Sequence, residues 1–111
     1  MSTEENKALV RRTIAEVWNK GNLAVVDETI AANHTFHLPG GLTVPGIDGF
    51  KQVVSQYRTA LPNLTFAEEA LFADGDFVIL RYRATGTHTG AFDSPIGRLA
   101  PTGKQVVGTG V

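Results

Sequence analysis

The stretch DFVILRYRATGTHTG, Asp76 to Gly90, decides the architecture of this 111-residue chain. From Phe77 to Thr89 its side chains alternate between two faces, as on any β-strand. Arg81, Arg83, Thr85 and Thr87 share one face, and Val78, Leu80, Tyr82, Ala84, Gly86 and His88 share the other. The second set opens apolar, so that face must turn toward the core. It then shrinks through Ala84 and Gly86 and ends in an imidazole, so it cannot fill space at that end. Glycine inside a strand marks a bulge or the close approach of another group. The expectation is a pocket walled by Tyr82, floored by Ala84 and Gly86, with His88 at its rim. The other reading is a strand-end histidine hydrogen-bonded to a loop carbonyl.

Period-two patterning also marks Leu64 to Ala73, LTFAEEALFA, with a bulge expected near Glu68-Glu69 where the alternation falters. Asp74-Gly75 is a hairpin signal between this run and the next. A loop carrying Pro95 and Pro101 leads to KQVVGTGV, Lys104 to Val111, a third long strand expected to pair with Asp76 to His88. Upstream the period is helical. Ser2-x-x-Glu5 is a capping box, and Val10, Ile14, Val17 and Trp18 form one apolar stripe that Gly21 ends as a C-cap. Asn22 is expected to cap a shorter helix carrying Leu23, Val26 and Ile30. His34 to Leu38 is short and β-prone, and the breaker-rich PGGLTVPG after it reads as a loop or hairpin turn. Ile47, Phe50, Val54, Tyr57 and Leu61 define a third helix that Pro62 stops. Helices followed by a meander of strands predict an α+β fold with a curved antiparallel sheet packed on one face by helices. One domain over residues 1–111 suits this length.

Composition excludes several classes. With 42% hydrophobic and 19% charged residues the chain has the balance of a soluble globular protein. Its net charge of −1 builds no field for a polyanion, so nucleic acid is not an expected partner. No apolar run approaches the roughly 20 residues a membrane helix needs, so no membrane partner is expected. The polar, acidic opening MSTEENKALVRR is unlike a signal peptide, and a cytoplasmic location is the simplest expectation. Without cysteine there is no disulfide framework, thiolate metal site or Cys nucleophile. His34-x-x-His37 has the look of a ligand pair, but odd spacing on a strand places the rings on opposite faces, and no metal site is expected. His37 faces either the pocket or solvent. Trp18 and Tyr57 lie on inward helix faces, Trp18 as core or pocket wall, Tyr57 with its hydroxyl available to a ligand. Glu68, Glu69, Arg81 and Arg83 read as a solvated face with cross-strand charge pairing, or as a dimer interface if that face meets another chain. PGGLTVPG is not a phosphate loop, since it does not join a strand to a helix in the G-x-x-x-x-G-K-S/T pattern.

These residues also carry a resemblance. EVWNKGNLAVVDETIAANH in the first helices, LPNLTF after the third, ALFADGDFVILRYRATGTHTGAF across the hairpin and APTGKQV before the last strand resemble the SnoaL-like polyketide cyclases of the nuclear transport factor 2-like superfamily. The block Gly86-Thr-His-Thr-Gly90 with Pro101-Thr-Gly103 is its most specific part. The resemblance implies a cone-shaped fold: a strongly curved sheet wrapped around about three helices, with an apolar cavity at the wide end. It also implies homodimers, a small hydrophobic ligand, no cofactor, and ring closure by intramolecular aldol condensation; relatives with this fold isomerise ketosteroids or hydrolyse epoxides. The family shares a cavity more than a reaction. Similar proteins carry their acid/base carboxylate on a strand returning after the one that holds Gln105 to Val111, and this sequence has no counterpart for it. Asp48, Asp76 and Asp93 read as helix-start, turn and loop acids. The expectation is therefore either a C-terminally shortened cyclase-like enzyme or a short member whose open strand edge is covered by a second chain. His88 becomes the expected base, with Tyr57, Tyr82 or His37 as donors and Trp18 and Gly86 completing the substrate site. The competing expectation is a binding or dimerisation module without catalysis.

Overall fold

The computed structural model describes residues 2–37, 41–94 and 97–110. Helix α1, Thr3–Arg12, begins in the capping box read from the sequence. Glu5 N–H donates to Ser2 Oγ at 3.1 Å and Ser2 N–H to the Glu5 carboxylate at 3.3 Å. Two otherwise orphaned donors are thereby satisfied. None of the residues of α1 is fully buried; Leu9 and Val10 are half-buried, and Arg11 ties the helix to Glu68. The continuation of α1 departs from the single 3.6-residue stripe expected. Thr13–Trp18 is a π-helical turn, with Asn19 N–H donating to Ile14 C=O at 3.0 Å. Thr13 Oγ donates back to Leu9 C=O at 2.8 Å, the kind of back-bonding that distorts helices. The wider turn buries Val17 and Trp18 and aims Asn19 at the sheet. Its amide accepts from Phe66 N–H at 2.7 Å and donates to Phe66 C=O at 3.2 Å, extending the ladder where no strand does. Gly21 ends the segment at φ +72, as expected of a C-cap glycine.

The second helix is shorter than its pattern suggested. Asn22 makes no side-chain cap; its carbonyl instead accepts from Val25 N–H in a 3₁₀ turn, Leu23–Val25, leading into α2, Val26–Thr29. Strands β1, Thr35–His37, and β2, Thr43–Pro45, pair as a small antiparallel hairpin; Leu38 lies outside the described residues. Helix α3, Gly46–Ala60, buries Phe50, Val53, Val54 and Ala60. It stops because Pro62 disfavours the α conformation at Leu61, whose φ/ψ are −127/77. Arg58 in its last turn reaches out of the helix. Its guanidinium donates to the carbonyls of Trp18 at 2.7 Å, Pro62 at 2.9 Å, Asn19 at 3.1 Å and Leu64 at 3.2 Å. One cation thus ties the end of the π turn to both ends of the connection after α3.

The main sheet has the order β3-β4-β7, all antiparallel, from β3 Thr65–Asp74, β4 Phe77–Thr87 and β7 Gln105–Gly110. The bulge falls between Glu68 and Ala70, where the alternation falters. Glu68 is paired not across the strands but with Arg11 of α1, at 2.9 and 3.2 Å; Glu69 approaches Arg81 at 3.9 Å. Leu80 and Tyr82 face inward and Arg81 and Arg83 are exposed, as the alternation requires. Beyond Arg81 the outer face turns apolar: Phe72 and its cross-strand partner Ile79 are exposed, as is Phe77. A further hairpin joins β5, Phe92–Ser94, to β6, Gly97–Leu99. The core is one cluster: Val17, Trp18, Val25, Val26, Phe50, Val53, Val54 and Leu64, with Ile14 and Ala84 packed against it. Val17, Val26 and Val54 are fully buried, each contributing about 1.5–3 kcal/mol by leaving water. Leu80 and Tyr82 stand apart from this cluster, which leaves space between them and the helices.

Candidate functional site

That space is a cavity of about 580 Å³. Ile14 and Trp18 from the π turn, Tyr57 from α3 and Leu61 just after it form its helical wall. Leu80, Tyr82 and Ala84 of β4 with Val106 and Gly108 of β7 form its floor, and Phe36, His37, Thr85 and Thr109 border it. A smaller cavity of about 200 Å³ beside α1 shares Ile14, Phe66, Leu80 and Tyr82 with it and adds Arg11 and Glu68. Most of the larger lining is apolar because it is the inner edge of the core.

Trp18 organises this wall. Its ring meets Phe66 at 5.1 Å between centroids, Phe50 at 6.0 Å, Tyr57 at 6.1 Å and Phe36 at 6.5 Å, in tilted or edge-on geometry, the arrangement aromatic quadrupoles favour. Phe66 passes the contact to Tyr82 at 4.9 Å, and Tyr57 to Phe92 at 5.0 Å. A continuous aromatic series therefore runs from Phe92 through Tyr57, Trp18 and Phe66 to Tyr82. The π turn matters here, since it carries Ile14 and Trp18 together onto the cavity; π turns inside helices recur at functional sites.

Of the residues expected at the site, Trp18, His37, Tyr57 and Tyr82 come together around this cavity. His88 and Gly86 do not line it, and the expectation that they form its rim and floor is corrected. His88 is 5% exposed. Its Nδ1 lies 3.0 Å from Thr102 Oγ, which also accepts from Lys104 N–H at 3.3 Å. Its own N–H donates to Lys104 C=O at 2.9 Å and its C=O accepts from Gly103 N–H at 2.7 Å. His88 thus grips the segment that enters β7, much as the strand-end reading foresaw but with a threonine hydroxyl as partner. Among the described residues its buried Nε2 has no hydrogen-bond partner.

The glycines of the Gly86-Thr-His-Thr-Gly90 block mark close approach, but of the protein to itself. A Cβ on Gly86 would stand 3.1 Å from Leu61 Cβ, and one on Gly90 would overlap the Thr59 carbonyl. Thr89 and Gly90 N–H both donate to Ala60 C=O at 3.1 Å. Thr87 N–H donates to Asn63 Oδ1 at 2.7 Å. The block docks the end of β4 onto the end of α3. The signal read as space for a ligand was contact with a helix terminus.

Two groups shape the electrostatics. Among the described residues that line the larger cavity there is no carboxylate, and its phenols are those of Tyr57 and Tyr82. His34, behind Phe36, packs edge-on against Phe50 at 5.6 Å and Phe36 at 6.5 Å. Burial, and secondarily the nearby His37, lowers its pKa. A depressed histidine pKa means the unfolded chain takes up that proton first as pH falls. Stability from a neutral His34 is therefore complete above its ordinary value of 6.5 and lost as pH drops below it. The urea midpoint is expected to fall between pH 7 and pH 5, and His34→Gln to reduce that fall. An equal fall in the variant would assign it to other groups. Among the described residues no group of three His, Cys, Asp or Glu side chains is placed to hold a metal ion, and no helix is long and apolar enough to cross a membrane.

Missed in the sequence were Ile14, Leu61 and Phe66 as cavity wall and the inward face of β7. The period-two run from Leu64 carried the signal for Phe66. The β7 residues needed the register, Gly86 opposite Val106 and Ala84 opposite Gly108, which no local pattern specifies.

Comparison with known proteins adds independent observations. The family model for SnoaL-like polyketide cyclases matches residues 8–111. Three solved structures are similar over nearly the whole chain. A protein described as a SnoaL-like polyketide cyclase from Jannaschia sp. CCS1 is 25% identical at a TM-score of 0.85, covering 96% of this chain and 73% of its own. One described as a polyketide cyclase from Acidithiobacillus ferrooxidans is 34% identical at 0.75, covering 98% and 78%. One described as a hydroxylase, AclR from Streptomyces galilaeus, is 26% identical at 0.77, covering 97% of this chain but only 64% of its own length. No curated protein matches.

Proposed function

The chain belongs to the SnoaL-like polyketide cyclase family, and on that premise we propose that it holds a hydrophobic carbonyl compound, such as a polyketide-like ring precursor, for cyclase- or isomerase-type acid/base chemistry. The observation that carries this reading is the cavity between helices and sheet: aromatic and aliphatic walls with Tyr57, Tyr82, His37, Thr85 and Thr109 as polar groups. Small-molecule sites have this make-up, an apolar surround with a few placed polar groups. Enolising a carbon acid needs a base near the α-carbon and donors near the carbonyl oxygen. The phenols of Tyr57 and Tyr82, both members of the aromatic series, supply the donors. His37 supplies the only imidazole among the described lining residues, and imidazole is the side chain that most often serves as a general base. His88, held on Thr102 outside the cavity, acts in this reading as a positioning residue for β7.

A second reading, passive binding without turnover, is favoured by the lack of a carboxylate among the described lining residues. One experiment separates the two. Deuterium exchange at the α-carbon of 2-tetralone, a hydrophobic enolisable ketone, is followed by proton NMR in D₂O. The enzyme reading expects protein-dependent exchange, reduced about 100-fold in His37→Gln, in line with the loss of a general base. Binding of the ketone without accelerated exchange would establish the passive reading. Full exchange in the variant would remove His37 from the chemistry.

A further inference from the structure

Two glycines on the inner face of β7 differ in what they are for. Gly110 lies opposite Tyr82 in the register. A Cβ there would meet the Tyr82 ring, at 2.6 Å from Cζ and 3.0 Å from Cε1, so the strand must be bare for the phenol to lie over it. Gly108 lies opposite Ala84, two residues along the same face. Among the described residues, a Cβ there would meet nothing within 4 Å. Its φ is outside the left-handed region, so the backbone does not require glycine either. A glycine inside a strand costs conformational entropy and gives up cross-strand packing, so the fold alone is better served by alanine or valine. What Gly108 does face is the larger cavity, whose floor it forms beside Ala84.

We propose that Gly108 is the size-determining residue of the ligand site: the bare backbone at Gly108 and the small side chain of Ala84 make a flat seat across β4 and β7. The face of a planar, multi-ring ligand lies on this seat, opposite the aromatic wall of Trp18 and Tyr57. Trp18 and Tyr57 rise from the helical side of the cavity and the seat from the sheet side, so a ring between them is covered on both faces. A side chain at position 108 projects into this gap and shortens it, while the rest of the cavity remains. The proposal rests on the reading of this cavity as the ligand site and adds which residue limits what enters.

The test compares two soluble probes, planar tricyclic anthraquinone-2-sulfonate and single-ring 4-hydroxyacetophenone, by quenching of Trp18 fluorescence, since Trp18 is the only tryptophan in the chain. The variants are Gly108→Leu and, as the milder change, Gly108→Ala, each checked for a native thermal midpoint. In Gly108→Leu the tricycle is expected to bind about tenfold or more weaker, the scale on which added methylenes act in an apolar pocket. The single ring should be little affected, and Gly108→Ala should fall between. Gly110→Ala should differ in kind, lowering the thermal midpoint by displacing Tyr82. Unchanged tricycle affinity in both position-108 variants overturns the proposal and leaves the cavity reading intact. Equal weakening of both probes also overturns it, since size then plays no part. Binding of neither probe by the unaltered protein overturns the cavity reading and this proposal together.

Discussion

Replacing Trp18 by alanine is expected to cost about 3–5 kcal/mol of folding stability, the range for deleting a buried large aromatic. A small domain holds about 5–15 kcal/mol in all, so the variant should melt on the order of 15–25 °C lower. The reason is position. Trp18 is 8% exposed and touches four other rings, those of Phe36, Phe50, Tyr57 and Phe66, drawn from β1, α3 and β3. Removing it opens a void where these elements meet, and the void cannot close without moving the π turn, which Asn19 fixes to Phe66. Trp18→Phe keeps a ring at the junction and should lose clearly less. Thermal unfolding followed by circular dichroism checks both. A shift of only a few degrees in the alanine variant would mean that Trp18 is not the organising residue of the cavity wall.

Gly90→Ala is expected to be the most damaging single-methyl addition in the β4–β7 connection, costing about 3 kcal/mol or more, the upper end for overpacking. The added Cβ would overlap the Thr59 carbonyl oxygen and stand 2.8 Å from its carbon. These are backbone atoms at the end of α3 and have no rotamer to change. Relief requires lifting the loop from α3, which breaks the pair of hydrogen bonds from Thr89 and Gly90 to Ala60 and loosens the His88–Thr102 contact beyond them. Hydrogen exchange should therefore quicken across residues 87–104 as well as the melting point falling. Gly86→Ala makes the contrast: its nearest neighbour is Leu61 Cβ at 3.1 Å, a side chain that can yield, and about 1 kcal/mol is expected. Equal effects at the two positions would contradict the docking role assigned to the block.

The sheet and its register face were legible because alternation is a local property. Leu80 and Tyr82 inward with Arg81 and Arg83 outward follows from the pleat alone, as does the bulge at Glu68 once the alternation falters. The capping box and the stop at Pro62 were equally local. The first helix was legible only to Arg12, because the Thr13 back-bond and the pull of Asn19 on Phe66 convert the next turn to π, and the second partner is 47 residues away. The site was half legible for the same reason. Trp18, Tyr57, Tyr82 and His37 lie on faces whose direction local periodicity sets. Gly86 and His88 were misread because a small strand residue reports that something approaches closely, not what approaches. Here it is the α3 terminus. Gly108 illustrates the converse, a small residue with no described residue against it, and only the three-dimensional register tells the two apart.

The cavity between the π turn, α3 and the inner face of β4 and β7 is the proposed ligand site of this protein. Amide and indole chemical-shift mapping of the ¹⁵N-labelled protein titrated with anthraquinone-2-sulfonate tests it most directly. Saturable shifts are expected at the Trp18 indole and at the amides of Tyr57, Leu61, Ala84 and Gly108, with Phe72, Phe77 and Ile79 on the outer face unmoved. Shifts confined to that outer face, or to the His88–Lys104 segment, would contradict it.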